Sequence, residues 1–308
     1  MKKRLIILIA LILPISMFAQ TDIQMSQHML NRTTYNPAAT GASQFVNIYG
    51  HWRDQWQGWH GAPQTMYLTA HSYFTNLKSG LGLILMKDKS GFERDMMFKV
   101  AYAYHVHLTP DSYISLGLNA GVLNRNIDFP RAIVEDPMSL PANHPTEAVS
   151  KWAADFDFGA EYNLEKLTVG LSLTHLNRTA DEATFINMGH HFYGYVKYKF
   201  SLGVDYDLTP AFFAQMSKRS THLEVNSLLH YRNKMWIGGS YRVDEKIDSE
   251  SVVLIAGMEV LDFLRIGYSF DYNIGKIGKY ANNTHEIMVG IKLTKNPNIY
   301  AKTPRFFE

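Results

Sequence analysis

The chain has 308 residues, no cysteine and nearly balanced charge, with 30 Lys+Arg against 28 Asp+Glu. The lack of cysteine excludes disulfides, thiolate metal sites and a lipid-anchored lipoprotein, and there is no basic excess of the kind that favours nucleic acid. Hydrophobic residues make up 46% and aromatics 13%, yet beyond Gln20 no apolar run approaches the roughly 20 residues of a membrane-spanning helix.

The chain opens on a positive stretch, Met1-Lys2-Lys3-Arg4, followed by an apolar run from Leu5 to Leu13, a break at Pro14 and a small residue at Ala19. This order predicts a secretory signal peptide over residues 1–19. Its removal takes Lys+Arg from 30 to 27 against 28 Asp+Glu, so the formal charge falls from +2 to −1.

Period two dominates the rest of the chain. Over 98–108, Phe98, Val100, Tyr102, Tyr104, Val106 and Leu108 alternate with Lys99, Ala101, Ala103, His105 and His107. Such a stretch matches the about 9–11 residues of a tilted membrane strand. The same alternation recurs over 156–164, 167–174, 264–272 and 286–293. Strands are expected near 45–55, 63–74, 80–87, 95–108, 112–123, 152–163, 166–176, 190–208, 211–217, 221–231, 235–243, 250–260, 263–273 and 284–294. Taken alternately, the connectors separate into short turns, including Thr109-Pro110-Asp111 and Thr209-Pro210, and longer segments, including 88–94, 124–151 and 177–189. Together these predict an all-β protein: a transmembrane, antiparallel outer-membrane β-barrel of fourteen strands with short periplasmic turns and longer extracellular loops. A soluble sandwich is the rival, but it would leave the tyrosine-rich faces without inward surface to bury them. The insertion 124–151, with four prolines, reads as a lid or a lumen plug.

Chemistry-bearing patterns are sparse. His105 and His107 share one face of a strand, giving two ligands where zinc usually takes three or four, and the adjacent His190 and His191 point to opposite faces. Ser172 and His175 have opposite parity, which argues against a catalytic dyad, and there is no GxSxG elbow. Glycines within strands, such as Gly80, Gly82, Gly117 and Gly121, suggest bends or close approach rather than a phosphate loop. No catalytic residue, metal site or cofactor is expected.

Residues 24–41, "QMSQHMLNRTTYNPAATG", carry a motif through Ser26, Gln27, Met29, Asn31, Asn36, Pro37, Ala38 and Gly41, and a second block comes after it through Arg53, Gln55, Trp56, Gly61, Ala62 and Pro63. Segments 102–121, 157–176 and the ending 303–308 add to it. In this order the blocks resemble the PorP/SprF family of the type IX secretion system of Bacteroidetes, over essentially the whole mature chain. The resemblance implies a non-enzymatic barrel in the cell outer membrane, among outer-membrane lipids, serving protein secretion and in some members gliding motility. It further implies partners among the type IX components, namely the periplasmic ring lipoprotein and associated motor parts, and in some members one large secreted adhesin with a C-terminal sorting domain. The expected layout is a signal peptide at 1–19, an N-terminal periplasmic segment at 20–44, the barrel at 45–294 and a periplasmic tail at 295–308. The alternative is a passive pore for small solutes.

Residues 51–65 hold Trp52, Trp56 and Trp59. By parity Trp52 and Trp56 would share the lipid face as interfacial anchors, and Arg53 and Gln55 would face the lumen. Arg53, Gln55, Trp56, Trp59 and Pro63 are the candidate contacts for a partner or plug.

Overall fold

The computed structural model describes residues 22–131, 147–177, 180–181, 186–187, 189–218, 220–244, 249–274 and 283–294. The expected signal peptide, the tail at 295–308 and the centre of the 124–151 insertion lie outside them.

Fourteen strands form the wall: β1 (Val46–Asp54), β2 (Gln64–Phe74), β3 (Ser79–Ser90), β4 (Glu93–Thr109), β5 (Ser112–Ile127), β6 (Val149–Leu164), β7 (Leu167–Thr174), β8 (His191–Tyr198, continued by Phe200–Leu202), β9 (Tyr206–Met216), β10 (Thr221–Tyr231), β11 (Met235–Asp244), β12 (Ser249–Leu261), β13 (Leu264–Asn273) and β14 (Thr284–Leu293). Each pairs antiparallel with its sequence neighbour, and β1 closes the ring against β14 from Val46↔Leu293 to Asp54↔His285. Among the described residues no helix is long and apolar enough to cross a membrane; the chain crosses with strands.

The wall is inverted relative to a water-soluble protein. On β4, Phe98, Val100, Tyr102, Tyr104, Val106 and Leu108 are exposed on the outside, whereas Lys99, Ala101, Ala103 and His105 are buried inside. The arrangement is stable because lipid solvates the outer face and closure leaves the sheet no unpaired edge. Strands β4, β5 and β6 have 17, 16 and 16 residues, more than the bilayer requires. They therefore rise past it at the long-loop rim. This removes the loop expected at 88–94, because β3 and β4 meet through Gly91 and Phe92 alone. The flanks of the 124–151 insertion are likewise strand up to Ile127 and from Val149.

The strand count holds, but one hairpin moves. Thr209-Pro210 is not a turn: both residues lie inside β9, with Pro210 opposite Ser227 of β10. The turn falls at 203–205, where Gly203 takes φ +87. Proline is tolerated in β9 because its other neighbour is broken at the same level. Strand β8 is interrupted at Lys199, whose amide donates to the Lys166 carbonyl across the turn after β6. A residue without an N–H is placed where the β8–β9 ladder has a gap.

Candidate functional site

The lumen is occupied by the chain's own N-terminal segment. Of residues 20–44, expected in the periplasm, the described stretch 22–44 runs through the barrel interior instead. It makes three single-turn 3₁₀ helices, His28–Leu30, Arg32–Thr34 and Pro37–Ala39. The segment shows no alternation because it does not belong to the sheet; it is a plug whose polar and apolar side chains find separate partners on the wall.

The polar anchors follow the chain. The amides of Ser26 and Gln27 donate to the two carboxylate oxygens of Glu286 at 2.6 and 3.0 Å. Ser26 Oγ donates to Asp271 at 2.7 Å and accepts from Arg53 Nη1 at 2.5 Å. His28 Nε2 lies 3.0 Å from Glu224, which Arg242 also engages at 2.7 Å. Asn31 donates to Thr69, and Arg32 binds both oxygens of Glu161 at 2.9 and 3.2 Å. Asn36 caps the third turn through Ala38 N at 2.9 Å and donates to Tyr195 Oη at 3.0 Å. The Thr40 carbonyl accepts from His105 Nε2, and the Tyr35 carbonyl accepts from Ser172 Oγ.

Between the anchors, apolar plug side chains fill three lumen patches. Ile23 and Met25 pack among Tyr67, Ile84, Met86 and Met97. Met29 and Leu30 lie against Tyr49, Leu228, Trp236 and Met288. Tyr35 joins Tyr193, Tyr195 and Phe213, with its ring edge-on to Tyr195 at 5.5 Å. Each large side chain buried in this way contributes about 1.5–3 kcal/mol.

Two wall glycines act as seats. A Cβ on Gly117 would stand 2.3 Å from the backbone of Pro37 and Ala38. One on Gly80 would stand 2.0 Å from the Thr40 carbonyl. Close approach, expected for these strand glycines, is what they provide.

The charges at the site are buried in pairs. Arg53 bridges Asp271 at 2.9 Å and Glu286 at 3.3 Å, and Lys99 bridges Asp155 and Asp157 at 2.7 and 2.8 Å. Removing one partner of such a pair costs about 3–5 kcal/mol, since the other charge is left bare in a low-dielectric interior. On the plug, burial alone would raise the Asp22 carboxyl, but the hydrogen bonds from His175 and Tyr193 hold it well below the ordinary carboxylate range. Burial pushes the Tyr35 hydroxyl well up, so it stays protonated.

All eight motif positions of the first block, Ser26, Gln27, Met29, Asn31, Asn36, Pro37, Ala38 and Gly41, belong to the plug, and Gln27, Asn31 and Asn36 are fully or almost fully buried. Arg53 is 2% exposed and bonded to Ser26, so it is a plug contact rather than a partner contact. Gln55, Trp56 and Pro63 line a vestibule of about 390 Å³ at the long-loop rim, above the plug. Trp59 stands half-exposed beside it, its ring 6.3 Å from that of Trp56. The expected common face of Trp52 and Trp56 fails. Strand β1 ends at Asp54, and Trp56 takes φ +53, which turns its ring toward the vestibule while Trp52 remains outside. Parity misleads again at His175, where φ +57 turns the side chain inward and buries it, as Ser172 is buried. Ser172 is spent on the plug carbonyl. Sequence reasoning missed His28, Arg32, Glu161, Glu224, Asp271 and Glu286. The available signal was the number of charges on strand faces that were expected to be simply wet.

A second vestibule of about 510 Å³ opens at the short-turn rim and is lined by Asn31, Arg32, Ser43, Lys197 and Lys292. With short turns periplasmic, the plug rises from Phe45 at the periplasmic end to Asp22 under the outer mouth. Because the chain lacks cysteine, this direction is testable with single thiols. Gln24→Cys should react with an impermeant maleimide added to intact cells, and Ser43→Cys only after the outer membrane is opened. The reverse pattern would invert the plug.

A closed, lipid-facing, fourteen-stranded barrel with a polar interior defines an outer-membrane protein. The fold resembles Omp33 of Acinetobacter baumannii, with a TM-score of 0.51 at 10% identity over 82% of this chain and 100% of that one. It also resembles the toluene transporter TbuX of Ralstonia pickettii, with a TM-score of 0.53 at 9% identity over 87% and 94%. At these identities the likeness is one of fold. No curated protein matches the chain. The family profile described as type IX secretion system membrane protein PorP/SprF matches residues 17–291, and the chain belongs to that family.

Proposed function

We propose that this protein is a non-enzymatic docking component of type IX secretion, and of gliding where the cell glides, which holds a secreted cargo or surface adhesin at its long-loop rim. The observation that carries this reading is the occupied lumen. A plug anchored from Asp22 to Gly41 on almost every side of the wall stands between the two vestibules, which favours docking over passive solute flow. Arg53, Lys99, Arg242, Asp271, Glu161, Glu224, Glu286 and Ser172 bond to one another or to the plug, which supports a structural rather than a catalytic use. At the outer mouth, Trp59 and the Gln55–Pro63 segment offer the aromatic and turn character of an interaction anchor. The short-turn rim, with Arg265 and Lys292 at its vestibule, faces the side where a periplasmic ring lipoprotein would bind.

Loss of the gene should remove at least one secreted protein from the cell surface, and an unchanged surface proteome would refute the proposal. Restoring the gene as Trp59→Ala should weaken cargo co-purification by on the order of thirtyfold, the effect of truncating an interface anchor worth about 2 kcal/mol. Barrel abundance in the outer membrane should stay the same.

A further inference from the structure

We infer that Asp22, His175 and His191 form a binding site for a zinc ion at the floor of the long-loop vestibule, joining the outer end of the plug to the barrel wall. The three side chains come from three separate elements. Asp22 is the first described residue of the plug, His175 follows β7, and His191 opens β8. One potential ligand atom from each lies within 4.8 Å of the other two. Two imidazole nitrogens and one carboxylate oxygen are a donor set that zinc takes, with a fourth position left for water. Here that position faces the vestibule, which all three residues line.

The surroundings of each ligand favour a metal. His175 Nδ1 is 2.9 Å from both oxygens of Asp155, so the proton sits on Nδ1 and is donated to the carboxylate. Its Nε2 is directed at Asp22, 3.6 Å from Oδ2, and would release its proton to solvent when zinc binds. A carboxylate behind a histidine that faces the metal is the usual way of fixing ring orientation and tautomer. Asp155 is itself pinned by Lys99 at 2.7 Å. On the other side, His191 Nε2 accepts the backbone N–H of Asp22 at 2.9 Å. That nitrogen therefore carries a lone pair pointing at Asp22, the form a metal requires. Zinc would take over this lone pair, and the Asp22 amide would turn to vestibule water. The Asp22 carboxylate is held by the Ile23 amide at 2.9 Å and the Tyr193 hydroxyl at 2.5 Å.

The neighbouring groups point to the same three residues. Asp155, Asp157 and His175 are also close enough to share an ion, but Lys99 lies within 2.8 Å of both carboxylates and supplies the positive charge there. His222, on the same vestibule wall, is 3.0 Å from Asp244 and is taken by that pair. Sequence spacing hid the site because its ligands are 153 and 16 positions apart along the chain.

The test uses the full mature barrel in detergent, purified without a histidine tag and stripped with a chelator. Calorimetric titration with zinc chloride should show one saturable equivalent per chain, and cobalt at the same site should give the absorption of a four-coordinate ion. Asp22→Asn and His191→Ala should each weaken zinc binding by at least about tenfold, and Asp155→Asn by about 10- to 100-fold, the usual effect of losing the group behind a ligating histidine. His222→Ala should bind as the parent does. Folding of each variant is checked by heat-modifiable migration on gels. Asp22→Asn, which alters only the half-buried end of the plug, stands in if a wall variant does not fold. Absence of saturable zinc binding to the stripped parent, or unchanged binding in folded Asp22→Asn, would overturn the proposal.

Discussion

Deleting residues 22–41 should convert a closed barrel into a conducting one. The segment to be removed separates the two vestibules, and it contributes no strand to the wall. What remains inside is a polar surface: Asn47, His51, Arg53, Lys99, Asn119, Asp157, Glu161, Glu224, Arg242 and Glu286 all face inward. Once exposed, these groups would be solvated by water, and a fourteen-stranded cylinder is wide enough to hold it. Reconstituted parent protein should stay at the leak level in planar bilayers, and the deletion variant should show discrete open steps. Cells carrying the variant should also become sensitive to large antibiotics that the outer membrane normally excludes. Equal conductance of parent and variant would mean that the plug is not the seal, and a passive pore would become the better account.

The second large effect is expected at a single glycine. Gly117→Val would place its Cβ 2.3 Å from backbone atoms of Pro37 and Ala38. Overpacking against yielding side chains costs about 1–3 kcal/mol. Here the obstacle is main chain, held by the Asn36 cap and by wall strands on several sides, so the cost should reach or pass the top of that range. The plug should be expelled from its seat while the wall stays paired. Gly117→Val combined with Gln24→Cys should therefore label much faster than Gln24→Cys alone, and heat-modifiable migration should report an intact barrel. Gly50→Ala is the matched control. Its new methyl group would meet nothing nearer than the Val289 carbonyl at 4.0 Å, and labelling should not change.

The wall was largely legible because its rule is local. Alternation over 98–108 correctly separates outside from inside at each position from Phe98 to Val106, and the fourteen-strand count comes from counting such segments. Local rules fail where a single backbone angle breaks the period. The positive φ values of Trp56 and His175 reverse the face read from parity, and no alternation records them. Thr209-Pro210 looked like Thr109-Pro110, yet the turn went to Gly203, the residue that adopts a left-handed backbone without strain. The plug was not legible at all. Its bonds join Ser26 to Glu286 and Asp22 to His191, and nothing in a 20-residue window announces a partner more than 150 positions away. The motif over 24–41 marked the segment, but not its place inside the barrel.

The position of the Ser26 anchor bears on how the barrel is assembled. Arg53 lies on β1, Asp271 on β13 and Glu286 on β14, so the first and last strands meet around one plug residue. The N-terminal segment thus acquires these partners only when the final hairpin arrives. A β1–β14 pairing slipped by two residues would keep the lipid face apolar and the ladder complete, but it would carry Glu286 about 7 Å along the seam, two strand residues at roughly 3.4 Å each, away from the amides of Ser26 and Gln27. The plug is therefore a register gauge for ring closure: it rewards the one alignment in which both ends of the chain agree, a choice that hydrophobicity alone leaves undecided.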